Sequence, residues 1–97
     1  MRTMVMVELD TATANETITS GKIGQILERV LGELKPESAY FYSRGGNRAF
    51  SLVVDIPDPS YIPSVVEPFW LEFNARVDAF PCMNVDELKT GLGRLAG

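Results

Sequence analysis

From Ser38 to Ile56 apolar and polar residues alternate on both sides of Gly45-Gly46-Asn47. Alternation with a period of two marks strands, and the Gly-Gly-Asn stretch supplies the positive φ angles of a tight turn. This hairpin constrains the fold most, because an isolated two-stranded ribbon is marginal in water and must be built into something larger. Its register depends on the turn. A three-residue loop sets Arg44 opposite Arg48, Tyr42 opposite Phe50 and Tyr40 opposite Leu52, whereas a two-residue loop shifts every pair by one.

The flanking segments supply the rest of the sheet and its cover. Thr3 to Leu9 reads as a strand with Val5, Val7 and Leu9 on one face and Met4, Met6 and Glu8 on the other. Residues 10–20 are polar and Thr-rich, with possible helix starts at Thr13 (Glu16 three residues on) or at Ser20. Gly21 and Gly24 weaken that start, so the helix is expected from Ile23, with Ile23, Leu27, Val30 and Leu34 as its stripe, Ile26 and Leu31 widening it and Lys35-Pro36 ending it. After the hairpin, Ser60 is the expected N-cap of the next helix, since Pro63 then falls where no backbone donor is needed. Ile62, Val66, Phe69 and Phe73 form its expected buried stripe, with a kink at Pro68. Val77 to Met83 reads as a last strand, placed at an edge or bulged by Pro81. Asn84 and Glu87 then open a short closing helix with Leu88, Leu92 and Leu95 on one side.

Strand–helix–hairpin–helix–strand predicts one α+β domain over residues 1–97, a ferredoxin-like βαββαβ unit with an extra C-terminal helix. The expected sheet is four-stranded and antiparallel, in the order 4-1-3-2. Two helical stripes cover one face only, so the other face is expected to find a second copy in a homodimer.

Composition narrows function mainly by exclusion. A net charge of −4 disfavours nucleic acid and anionic membranes, both of which select clustered Lys and Arg. No apolar run approaches the roughly 20 residues that span a bilayer, and Glu8 interrupts the N-terminal strand too early for a signal peptide. The single cysteine, Cys82, suits a reducing, cytoplasmic setting. The chain has no histidine, the commonest general base and metal ligand, so neither a metal nor a cofactor is expected.

Asp55-Ile56-Pro57-Asp58-Pro59-Ser60-Tyr61-Ile62-Pro63, then Glu67-Pro68-Phe69-Trp70, then Pro81-Cys82-Met83-Asn84-Val85-Asp86-Glu87-Leu88, resembles small bacterial proteins of the dimeric α+β barrel superfamily. More narrowly, it is similar to the muconolactone-isomerase-like domains of unassigned function within it. The likeness covers about residues 38–95, and 1–37 by layout alone. It implies two monomers packed sheet against sheet and a pocket between sheet and helices. It carries over no catalytic residue, and the histidine that haem-binding or oxygenating members commonly use has no counterpart here.

Six residues are candidates for a ligand site. Arg44 and Arg48 at the hairpin turn either splay into water or grip a carboxylate. Tyr42 and Phe50 read as aromatic walls on one sheet face, or as packing. Trp70 either closes one side or packs at a helix edge, and Glu8 is a carboxylate inside a strand that suits acid–base work or an ion pair. The expectation is a small aromatic or acidic organic ligand, with cofactor-free isomerase chemistry if there is turnover; the alternative is a non-catalytic dimeric accessory or interaction domain.

Overall fold

The computed structural model describes residues 1–96. Its strands are β1 (Arg2–Glu8), β2 (Ser38–Arg44), β3 (Asn47–Asp55) and β4 (Arg76–Pro81). Its helices are α1 (Thr11–Thr19), α2 (Lys22–Leu34), α3 (Ile62–Phe73) and α4 (Val85–Ala96). The strands form one antiparallel sheet in the order β2-β3-β1-β4, which is the ferredoxin-like order expected. Pro81 is tolerated because β4 is an edge strand, paired only with β1.

The hairpin takes the two-residue alternative. Gly45 and Gly46 both have positive φ, 58° and 82°, as a type I′ turn requires. Arg44 therefore faces Asn47, Tyr42 faces Ala49, and Phe41 faces Phe50. Arg44 and Arg48 do not oppose each other, and Tyr42 and Phe50 stand on opposite faces of the sheet, which corrects the shared aromatic patch expected above.

In residues 10–20 a separate helix starts ahead of both expected positions, Thr13 and Ser20. Asp10 caps α1, its carboxylate accepting from the backbone N–H of Thr13 at 3.0 Å and from the Thr13 hydroxyl at 2.9 Å. Ala14 and Thr17 are buried, so tertiary packing recruits a helix with almost no apolar stripe of its own. Gly21, at φ 76°, separates α1 from α2. The N-cap of α3 is Tyr61 and not Ser60, and it makes no side-chain cap bond; Asp58 instead caps a preceding 3₁₀ turn (Pro59–Tyr61), accepting the Ser60 backbone N–H at 2.9 Å. That turn lets Pro63 enter α3 in its first turn, where its missing donor costs nothing. Helix α3 runs through Pro68 and buries Val65, Val66, Phe69 and Phe73; Ile62, expected in that stripe, is exposed.

The core lies between the covered sheet face and the helices. Val5, Val7, Leu52 and Phe50 meet Ile26, Val30, Phe69 and Phe73 there. The rings of Phe50 and Phe69 meet edge to face at 5.3 Å. Across the helix layer, Arg29 of α2 pairs with Glu72 of α3 at 2.8 Å.

Removing a ring at the centre of this core leaves a cavity that the packed neighbours cannot refill. Phe69→Ala should therefore cost about 3–5 kcal/mol, read as a lowered urea midpoint. Hydrogen bonding holds the carboxyls of Asp10, through Thr13, and Asp58, through Ser60, below their ordinary 3.8. Because the folded values are the lower ones, this stabilisation is present above 3.8 and is lost as pH falls through the folded values. Urea midpoints should accordingly drop below about pH 4. Asp10→Asn, which can still cap α1, should shallow that acid limb; an unchanged limb counts against the capping account.

Candidate ligand site on the open sheet face

Among the described residues no helix covers the second face of the sheet, and its side chains fall into transverse rows set by the strand registers. One row runs Tyr42, Ala49, Glu8, Arg76 across β2, β3, β1 and β4. The next runs Tyr40, Ser51, Met6, Asp78, and the third Ser38, Val53, Met4, Phe80. Arg44 stands past the first row, at the turn.

Ala49 makes the first row into a site. A methyl group between Tyr42 and Glu8 leaves a dip between longer side chains, and Ala49 is only 4% exposed although no helix lies over it. The resulting cavity holds about 110 Å³ and is lined by Tyr42, Arg44, Glu8, Arg76, Asp78 and Met6, with Ala49 in its floor. Tyr42 is held in place by a 2.5 Å hydrogen bond between its phenol oxygen and the Ser51 hydroxyl. A second, polar cleft lies at the end of the sheet and shares Glu8 and Arg76 with the first.

The charges in the cavity are two arginines and two carboxylates. Among the described residues the ion pairs join other groups: Met1 with Asp55, Arg2 with Glu37 and Glu87, and Arg29 with Glu72. Arg44 and Arg76 thus keep their guanidinium donors available for a bidentate contact with a carboxylate. Tyr42 supplies an aromatic wall and Met6 an adaptable apolar one.

Of the six candidates from sequence, Tyr42, Arg44 and Glu8 come together here. Arg48 lies on the covered face, donating to the side-chain oxygen of Asn15 in α1 at 2.9 Å. Phe50 is in the core, and Trp70 sits on the outer side of α3, 46% exposed. The centre of the space between sheet and helices, where the resemblance put a pocket, is packed with Val5, Leu52, Phe50, Phe69 and Phe73. Arg76 and Asp78 were missed by sequence reasoning. Their signal is the alternation Arg76, Asp78, Phe80 against Val77 and Ala79, but assigning them to Glu8 requires the β1–β4 register.

Among the described residues no cluster of three or more Cys, Asp or Glu side chains could hold a metal ion, and no helix is long and apolar enough to cross a membrane. No known protein-family model matches this chain, and no curated protein matches it in sequence.

The phenol bond of Tyr42 lies at the surface, where water competes for both partners. Tyr42→Phe should therefore cost no more than about 1 kcal/mol in urea unfolding while leaving the far-ultraviolet circular dichroism spectrum unchanged.

Proposed function

We propose that this chain is a homodimeric binding domain for a small aromatic or acidic organic molecule, taken up on the open sheet face over Ala49. The observation that carries the reading is the row Tyr42–Ala49–Glu8–Arg76 with Arg44 beside it, where two arginines free of ion pairs meet an aromatic wall. In a chain of net charge −4 the two arginines offset Glu8 and Asp78, so the dip is locally neutral and its unpaired guanidinium donors favour a carboxylate.

Size supports the second copy. Sites for whole small organic ligands usually hold roughly 300–1,000 Å³, so a dip of about 110 Å³ accommodates one end of a ligand. The remainder then lies over Met6 and Tyr40, and a second sheet laid on this face provides the missing wall. Tyr40 is 71% exposed and Phe80, Met4, Met6 and Val53 lie on the same face, an apolar surface of the kind that associates. The resemblance to dimeric α+β barrels points the same way. Glu8 is placed to exchange a proton with a ligand held by the arginines, the chemistry of a histidine-free isomerase, although binding alone does not require turnover.

Calorimetric titration with aromatic carboxylates tests the site. Losing a charged hydrogen bond costs about 1.5–3 kcal/mol, so Arg44→Ala and Arg76→Ala should each weaken binding roughly ten- to a hundredfold. Arg48→Ala, on the other face, should leave it unchanged, and equal binding by all four proteins refutes the assignment. Light scattering at micromolar concentration should give a dimer mass that Tyr40→Asp with Phe80→Asp reduces to the monomer. A dimer that binds no carboxylate supports the second reading, an interaction domain, which the exposed leucines of α4 favour.

A further inference from the structure

Helix α4 is an arm and not part of the body. Val85, Leu88, Leu92 and Leu95 recur at spacings of three, four and three, one continuous apolar stripe, yet Leu92 is 53% and Leu95 83% exposed. The molecule is 56 Å long against 28 and 17 Å in the other directions, and its radius of gyration of 15.5 Å exceeds the roughly 12.5 Å of a compact chain this size. Twelve residues interrupted by Gly91 and Gly93 make a poor helix in water, so the stripe needs something to lie against.

An apolar groove of about 300 Å³ is available. It lies beside the start of α3 and is lined chiefly by Thr3, Ile56, Ile62, Ala79, Phe80 and Pro81, with Asp58 as its one charged side chain. Thr3, Ile56 and Ala79 belong to the helix-covered side of the sheet. The arm leaves from the opposite side. Its first turn is tied to the open face by the ion pair of Glu87 with Arg2, which alternation puts on the same side of β1 as Met4 and Met6. A complete capping box fixes its direction: Asn84 N–H donates to Glu87 Oε1 at 3.0 Å, and Glu87 N–H to Asn84 Oδ1 at 2.8 Å. Cys82 N–H still donates to the Arg2 carbonyl at 3.0 Å, so only Met83 separates the sheet edge from the cap. With that short connection, none of the α4 residues lines its own groove.

We propose that α4 is exchanged between two copies of this chain, its leucine stripe seated in the apolar groove beside Ile62 of the other copy. Charge agrees with that occupant. Beyond Glu87 the arm carries Lys89 and Arg94 and no acidic side chain, whereas the groove presents Asp58, the Met1 ammonium at its border being paired with Asp55. Two such contacts related by a twofold axis close upon themselves and leave no arm unpaired. The inference takes from the functional reading only that two copies associate, and it is independent of any ligand.

Disulfide trapping tests it. In a Cys82→Ser background, Leu92→Cys with Ile62→Cys should, on mild oxidation, give a covalent species of twice the monomer mass on a non-reducing gel. An internal disulfide at monomer mass shows the arm folding back on its own body and overturns the proposal. So does the absence of a cross-link, and so does dimer formation by Leu92→Cys alone, which indicates arm against arm. Light scattering of the unmodified chain separates the two ideas: a dimer without the Leu92–Ile62 cross-link removes only the exchanged arm, whereas a monomer removes self-association as well. Leu92→Asp, whose side chain faces solvent in the single copy, should weaken the dimer at least tenfold with an unchanged circular dichroism spectrum; an unaltered dimer constant also overturns the exchange.

Discussion

Everything on the open face depends on the seating of Phe50 against Phe69. That contact draws β3 under α3, and Phe41 stacks beside Phe50 from β2 at 5.4 Å, so the helix layer is committed to one side of the sheet. Because strand side chains alternate, placing Phe50, Leu52 and Val54 in the core sends Ala49, Ser51 and Val53 to the other side. The same parity carries Glu8 and Met6 of β1, and Arg76 and Asp78 of β4, into rows with them. One aromatic contact therefore decides which charged residues are neighbours.

The two faces divide the electrostatics as well. On the covered side and the helix layer, polar groups are consumed locally: Arg48 by Asn15, Arg29 by Glu72, Asp10 by Thr13. At the far end of the open face Arg2 is consumed by Glu37 and Glu87, tying the start of β2 and the root of α4 to β1. Arg44 and Arg76 are left at the opposite end, beside Ala49, the smallest side chain of the first row. A binding site needs unspent donors beside a gap, and Ala49 provides the gap.

The positions where sequence reasoning diverged from the structure share a cause. Residues 10–20 lack an apolar stripe, so periodicity is silent there, and α1 exists because Asp10 caps it and Ala14 and Thr17 fit against the body. Ser60 is not the N-cap of α3 because a 3₁₀ turn capped by Asp58 stands ahead of it and moves that cap to Tyr61, which spacing alone does not reveal. The hairpin register hung on whether Asn47 belongs to the turn or to β3, and the positive φ of both Gly45 and Gly46 assigns it to the strand. By contrast, Asn84 with Glu87 reads correctly as a capping box from spacing alone, because both hydrogen bonds lie within four residues.

Local chemistry determined the elements, the edge placement of β4 through Pro81, the strand order through the βαββαβ succession, and the presence of one uncovered sheet face. Those properties follow from periodicity, capping and turn residues, which act over a few residues at a time. Only the tertiary structure decided that Tyr42, Arg44, Glu8, Arg76 and Asp78 form one cavity while Arg48, Phe50 and Trp70 are elsewhere. That grouping is a matter of parity between strands distant in sequence, and a shift of one residue in any register exchanges the two faces.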